Sequence, residues 1–417
     1  IGSQVWFSAR FNLGRQLQES GQTAAAEQVF QDILIGFEGK FNYQRCMALH
    51  MLGRCREVQG QVAAAEQLFR QTLAGLARLE QGQKVRREIG SAQTDLADVL
   101  REQGRYREAS ETYQVSLEIY QELDDARGRA VVTGQLGTLA YLQDELAEAM
   151  ERWQEALALW QNLNEPISEA VAWHQLGLVY QQAKHWEAAE QAYRQASRLK
   201  EKLGLLGGSN GAGASWQQLA QVCFYTNRVE EAEQWYRKAL AARRAADDRS
   251  GIALTLNNLA SLIAKDTVRL DEARHLIEEA LAIGLTLDPA AAEVWTTYSI
   301  LADIASQRGD KSQAAVYRAK SREGYLAFPA WRQQLRQHEE LIAAVAQGNG
   351  MEAALSRYGE AWANLKAAIQ RILSGQRDEA SLFEPLNYKE AAVIRAILTN
   401  LANELMDVHH SNSSTER

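Results

Sequence analysis

Proline is nearly missing from this chain, four residues in 417, against about 5% in average proteins. Proline breaks helices and sets turns. Its scarcity, beside abundant Ala, Leu, Glu, Gln and Arg, points to helix along most of the length. Cysteine is scarce too. Cys46, Cys55 and Cys223 are an odd number without metal-ligand spacing, which argues for a reducing, cytoplasmic setting rather than a disulfide framework. No apolar run approaches the roughly 18 residues of a membrane span, so no membrane partner is expected. Positive charge is not in excess: 45 Lys and Arg stand against 53 Asp and Glu, a net charge of −8. A polyanion such as nucleic acid is therefore not the expected partner, and the short basic runs "KVRR" (84–87) and "RR" (243–244) read as solvated. The 46% hydrophobic and 24% charged residues that remain describe a foldable chain. It opens at Ile1 without a methionine, so a preceding segment is expected.

Constellations for chemistry are lacking as well. The seven histidines are scattered, and His50 and His174, which share a register, are too far apart in sequence to share a metal ion. No catalytic, cofactor-binding or metal-binding residues are expected. One stretch, "LKEKLGLLGGSNGAGASWQQLA" (199–220), carries Gly204, Gly207, Gly208, Gly211 and Gly213 just before a helical pattern. A phosphate loop needs a preceding strand and a Lys-Ser or Lys-Thr pair at the helix start. Both are missing, so the stretch reads as a joint between two helices.

What the chain does have is a period. A leucine followed by a small residue recurs as Leu13-Gly14, Leu52-Gly53, Leu96-Ala97, Leu136-Gly137, Leu176-Gly177, Leu219-Ala220, Leu259-Ala260 and Leu301-Ala302, at intervals of 39 to 44 residues. Twelve residues after the small one stands alanine (Ala26, Ala65, Ala109, Ala149, Ala189, Ala232, Ala314, with Ala273 one later). Sixteen after it stands an aromatic: Phe30, Phe69, Tyr113, Trp153, Tyr193 and Tyr236. Seven after it comes a turn residue in most copies: Gly21, Gly60, Gly104, Asp144, Asn227 and Gly309. This is the pattern of a helical hairpin. Small residues let two antiparallel helices approach, the aromatic fills the groove beside them, and the turn residue adopts the left-handed conformation that ends the first helix. One hairpin cannot bury both faces, so neighbours must stack.

The pattern resembles the tetratricopeptide repeat. "AWHQLGLVYQQAKHWEAAEQAYRQA" (172–196) places Trp173, Leu176, Gly177, Tyr180, Ala189, Tyr193 and Ala196 at that family's signature positions. Each unit runs to about 40 residues and lacks the closing proline of the 34-residue repeat, so the second helix is extended. Long repeats of this kind are similar to those of kinesin light chains, of mitotic and G-protein adaptor scaffolds, and of bacterial signalling proteins. The resemblance implies an all-α, right-handed superhelix, an α-solenoid of about eight hairpins over residues 1–327. Beyond it, 328–406 reads as a C-terminal helical cap or docking module. Three amphipathic helices are expected there (330–348, 351–375, 387–405), with Gly348 and Gly375 as stops and Asn387 with Glu390 as a start. Residues 407–417 read as a disordered tail.

In such repeats the first helix of each hairpin lines the concave face. Two positions before the small residue stand Asn12, Asp95, Gln135, Gln175, Gln218 and Asn258, with Met51 and Ile300 in the other two copies. A carboxamide offers both a donor and an acceptor, and long-repeat relatives are similar in gripping a peptide main chain with asparagines at this position. Flanking positions would add selectivity. Three before the small residue come His50, Thr94, His174, Gln217 and Asn257; one after come Arg15, Arg54, Asp98, Gln221 and Asp303; four after come Arg101, Tyr141, Gln181 and Phe224. The Lys-Asn pair of chaperone-tail receptors occurs in no copy. The expected function is non-catalytic recognition, with a protein or peptide segment as partner in the concave groove. The alternative is the ligand-sensing arm of a larger bacterial regulatory ATPase, whose signalling domain would then be the partner.

Overall fold

The computed structural model describes residues 4–39, 42–208, 211–287, 293–327, 335–347, 355–356, 358–359 and 362–413. Among the described residues the regular structure is entirely helical. Two compact units, Ile1–Gly204 and Leu205–Arg417, divide the chain. The first holds five hairpins: α1 (Gln4–Glu19) with α2 (Thr23–Gly36), α3 (Tyr43–Val58) with α4 (Val62–Leu76), α5 (Gln83–Glu102) with α6 (Tyr106–Glu122), α7 (Ala126–Leu142) with α8 (Leu146–Asn162), and α9 (Pro166–Gln182) with α10 (Trp186–Lys202). The second holds three more: α11 (Ala212–Tyr225) with α12 (Val229–Ala245), α13 (Arg249–Ile263) with α14 (Leu270–Gly284), and α15 (Val294–Gln307) with α16 (Lys311–Ala327). After these come α17 (Glu339–Gln347), α18 (Ala363–Leu373), α19 (Glu379–Phe383) and α20 (Tyr388–Ser413).

The periodic residues meet as their spacing demands. Gly14 lies against Phe30, Gly53 against Phe69, Gly137 against Trp153 and Gly177 against Tyr193. The alanines twelve after the small residue are fully buried. The turn residue seven after the small one has positive φ throughout the copies where it is described, at Gly21, Gly60, Gly104, Asp144, Lys184, Asn227 and Gly309, Thr267 in the seventh hairpin excepted. Its amide and the next close the helix: Gly60 N–H donates to Glu57 and Gln61 N–H reaches back to Arg56, satisfying carbonyls that the helix end leaves open. The links between hairpins use the same device. Asp124 and Asp247 both have φ of 50°, and the aspartate after each caps the next helix, Asp125 accepting from Gly128 N–H (2.9 Å) and Asp248 from Gly251 N–H (3.0 Å).

Within each unit, helices pack on their predecessors and successors along the chain. Glutamate–arginine pairs staple consecutive hairpins: Glu27 with Arg56 (2.6 Å), Glu66 with Arg105 (2.9 Å) and Glu233 with Arg269 (2.8 Å). The large residue twenty-three after the small one closes on the next hairpin. Tyr120 lies against Gly128, and in the corresponding place Arg243 Nη1 donates to the Gly251 carbonyl (2.7 Å), to Gln217 Oε1 (2.7 Å) and to Thr255 Oγ1 (2.6 Å).

The glycine-rich joint is not a phosphate cradle. The N–H groups at the start of α11, which an anion would need, are already donated: Ala212 to the Leu205 carbonyl (2.8 Å) and Gly213 to that of Leu206 (3.0 Å). Residues 209–210 lie outside the described residues.

The C-terminal helices build a core of their own, with Leu341, Val345, Leu365, Ile369, Leu386 and Ile394 among its buried residues. They also cover the last hairpin, where Trp295, Tyr325 and Ala392 cluster and the Tyr388 ring lies tilted against that of Tyr325, 4.8 Å between centroids. The start of α20 is a capping box: Asn387 Oδ1 accepts from Glu390 N–H (3.0 Å) while Glu390 Oε2 accepts from Asn387 N–H (2.9 Å). Gly375 ends α18 with φ of 101°; the other expected stop, Gly348, lies outside the described residues. The backbone of α20 is helical to Ser413, past Asp407 where the sequence suggests a disordered tail. Extending an existing helix costs far less than starting one. Residues 414–417 lie outside the described residues.

Candidate functional site

A helix turns by 100° per residue, which sorts the expected site positions before any contact is considered. The small residue faces its own second helix. A residue two before it points about 200° away, toward the open side of the first-helix wall. A residue three before it lies one turn back on the same inward face. The structure bears out that division. His50, Thr94, Gln217 and Asn257 are buried and His174 is half-buried, so this position belongs largely to the hairpin core. Thr94 shares a hydrogen bond with Ser116 (2.8 Å), and Asn257 accepts one from Thr297 (3.1 Å).

In the first unit, α3 and α5 carry a charge network. His50 is 2% exposed, with Nδ1 2.6 Å from Glu88 and Nε2 2.6 Å from Asp95. A ring that donates to two carboxylates must be an imidazolium. Burial opposes that charge, but the bonds to Asp95 and Glu88 outweigh it and hold the proton above the usual histidine range. Arg54 clasps the same Asp95 through Nε and Nη2, and Asp95 stays ionised well below the usual carboxylate range, the bonds from His50 and the charge of Arg54 overcoming its burial. One turn further, Arg101 holds Asp98 (3.0 Å), which also accepts from Tyr113 (2.6 Å). Glu57, beside this network, is pushed up to about 8 by burial and by the charges of Asp95, Asp98 and Glu102. Arg15 is exposed and pairs with Glu19 (3.1 Å), and Asn12 is exposed. A cavity of about 390 Å³ opens here, lined by Phe11, Arg15, Met47, His50, Met51 and Arg54 among others.

Further along the same unit the wall is less committed. Gln135 and Gln175 are half-buried, and neither side chain has a hydrogen-bond partner among the described residues. Tyr141 packs on the cluster around Trp153 and Leu157. Gln181 accepts from Tyr193 (2.9 Å). His174 stands 5.5 Å from the Tyr193 ring. Burial and the charge of Lys200 drive it down to about 3, so it is neutral.

The second unit repeats the arrangement on α11 and α13. Gln218 and Asn258 are half-buried, and the buried Oε1 of Gln218 has no partner among the described residues. Phe224 packs on the core that contains Leu256 and Leu259, with the Lys265 ammonium 5.4 Å from its ring centroid. Gln221 is half-buried. The fifteen expected residues thus fall into two sets, eleven from Asn12 to Gln181 in the first unit and Gln218, Gln221, Phe224 and Asn258 in the second. Glu88 and Glu57 escaped the sequence reading. Their signal was Glu88 two turns before Asp95, and Glu57 one turn after Arg54's neighbour Gly53, on the registers already in use.

Cys46, Cys55 and Cys223 are buried and form no disulfide, and no group of three potential metal ligands assembles among the described residues. Among the same residues no helix is long and apolar enough to cross a membrane.

Three overlapping or adjoining stretches, residues 88–162, 128–202 and 211–283, match the sequence model of the tetratricopeptide repeat. No curated protein matches the chain. Solved structures share its fold. The apo form of the quorum sensor NprR from B. thuringiensis is 13% identical over 76% of this chain and 87% of that one, with a TM-score of 0.58. A Rap protein complexed with competence and sporulation factor is 13% identical over 97% and 99%, with a TM-score of 0.53. A signal transduction ATPase with numerous domains and a tetratricopeptide-repeat sensor, from Pyrococcus horikoshii, is 16% identical over 82% of this chain, with a TM-score of 0.58; this chain spans 49% of its length. At such identities the likeness is one of fold.

Proposed function

We propose that this chain, a tetratricopeptide-repeat protein, is a non-catalytic recognition scaffold that holds a peptide or protein segment along the wall of its first helices. One observation carries the reading: Gln135 and Gln175 in the first unit, and Gln218 and Asn258 in the second, leave their carboxamides without a partner among the described residues, while the charged groups beside them on α3 and α5 are spent on one another. A half-buried carboxamide without a bond is a donor and an acceptor kept in reserve. An extended main chain presents both complements at every residue. Tyr141 and Phe224, four residues beyond the small position, supply apolar contact next to these amides. The fold neighbours support a binding role: NprR is a quorum sensor, and the Rap protein was solved with its factor bound. A self-standing adaptor and the sensing arm of a longer signalling protein would use the same wall.

The test is selection of peptides from a displayed library against the whole chain, followed by affinity measurement on two double variants, Gln135→Ala with Gln175→Ala, and Gln218→Ala with Asn258→Ala. Removing two hydrogen bonds of about 1 kcal/mol each weakens a peptide held by that unit by about tenfold to a hundredfold. Melting temperatures should stay unchanged, since the amides support nothing internal. Selected peptides that bind both double variants as tightly as the parent chain would sink the proposal.

A further inference from the structure

The charged residues of the hairpins are mostly paired; Arg129 on α7, whose buried Nε has no partner among the described residues, is one exception, and another lies at the far end of the second unit beside a cavity. A cavity of about 360 Å³ opens between α15, α16 and the start of α20, with Ser299, Asp303, Arg318, Asn364, Asn387 and Tyr388 in its lining. Arg318 is half-buried there, and its guanidinium has no carboxylate and no hydrogen-bond acceptor among the described residues. Arginines elsewhere in the repeats, such as Arg56, Arg105 and Arg269, each hold a glutamate within 3 Å. One turn along α16 stands a second arginine without an ion pair among the described residues, Arg322, whose Nη1 donates to the Leu386 carbonyl (3.1 Å). Burial, and then the like charge of Arg318, lower its hold on its proton, with only Glu384 acting in the other direction. Two like charges at i and i+4 repel; of the two, Arg318 lines the cavity.

We propose that this cavity binds a small molecule through a single oxyanion group, phosphate or carboxylate, taken by the Arg318 guanidinium. Arginine presents a planar fork that matches either group with two parallel hydrogen bonds. Ser299 and Asn364 supply neutral donors in the same lining; Asn364 spends one amide hydrogen on the Pro385 carbonyl (3.1 Å) and keeps the other. The two carboxylates of the lining do not fill the role. Glu390 is committed to the backbone N–H groups of Asn387 and Leu365. Asp303 is exposed and makes no ion pair with Arg318 within 4 Å; partial burial raises its pKa, against the charges of Arg318 and Lys265, which act on its carboxylate. Its charge limits what the cavity tolerates, so the fit is to one anionic group and not to a polyanion. An occupant would touch α15 and α16 on one side and the start of α20 on the other, tying the C-terminal helices to the last hairpin. This site is separate from the carboxamide wall, and its test is independent of that reading.

The experiment uses the whole chain, with inorganic phosphate and acetate as probes and sodium chloride of equal ionic strength as control. Thermal melting and calorimetric titration are read for the parent and for Arg318→Gln. The expected result is a rise in melting temperature with one of the probes beyond the chloride control, and a loss of that rise in the variant. Which probe acts tells phosphate from carboxylate. Arg318→Lys, which keeps the charge but loses the fork, weakens binding about tenfold and serves in place of the glutamine variant should that one not fold. No shift beyond chloride with either probe, or an equal affinity in the Arg318 variants, overturns the proposal.

Discussion

Gly53 lies so close to Phe69 that a Cβ there would stand 2.5 Å from the ring. Two effects compete on substitution. Alanine gains about 1 kcal/mol of helix propensity over glycine, and overpacking costs about 1–3 kcal/mol. Gly53→Ala should therefore fall near break-even, as Ala97 and Ala220 at the same position of other hairpins suggest. Gly53→Val adds two more methyls against the ring and forfeits the propensity gain, so it should destabilise by about 2–3 kcal/mol, measured by urea unfolding. Two histidines, His50 buried and His174 half-buried, give opposite pH responses. His50 binds its proton more tightly folded than unfolded, so its contribution is complete below about 6.5 and is lost as pH rises through the raised folded value. His174 binds its proton less tightly, and its contribution is lost as pH falls from about 6.5 toward about 3. Unfolding midpoints of His50→Gln should lose part of the parent's decline above neutral pH, while those of His174→Gln should lose part of its decline in acid. A parallel shift of both curves at every pH would contradict the assignment. Neither histidine's role could be read in sequence. Both stand three before the small residue, and what separates them is the neighbour: Glu88 and Asp95 for one, Lys200 for the other.

At the scale of the helix pair, the turn chemistry was legible wherever glycine, asparagine or aspartate marked it. Lys184 was not, because lysine carries no left-handed preference; there the hairpin imposes φ of 60° on a residue that does not favour it. The contacts that join one pair to the next were also hidden. Glu66 and Arg105 are 39 residues apart, and nothing local couples them. Arg243 is the most telling case. Its place is held by Tyr120 and Trp160 in other copies, and a basic residue near a helix end reads as solvent-exposed. The structure buries it instead, with three oxygen acceptors on α11 and α13 around one nitrogen. Arg243→Ala should cost about 2–4 kcal/mol in unfolding free energy, since it leaves Gln217 unsatisfied and a void beside Gly251. Arg243→Met, which keeps the volume and removes the charge, should cost about half as much. Equal losses would mean that the guanidinium's hydrogen bonds contribute nothing beyond its bulk.

For the molecule as a whole, the period alone was enough to place eight hairpins and sixteen helices, because every copy repeats the same small-residue and aromatic contact. The wall of first helices followed from the same register. The internal commitments of that wall did not: the sequence offers His50, Arg54, Asp95 and Arg101 as free binding groups, and the fold brings them together into a network that leaves the carboxamides further along as the uncommitted set. The C-terminal helices carry no period, so their core and their contact with Trp295 and Tyr325 could only be seen in three dimensions.

Because a hairpin inside either unit meets only the one before and the one after, the fold has no fixed length written into its contacts. A duplication of some forty residues, cut from one small-residue position to the next, would rebuild at its new junction the same glycine-to-ring packing and the same left-handed turns. Such a chain can grow or shrink by whole steps, and a groove could be lengthened to suit a longer guest without redesigning any joint.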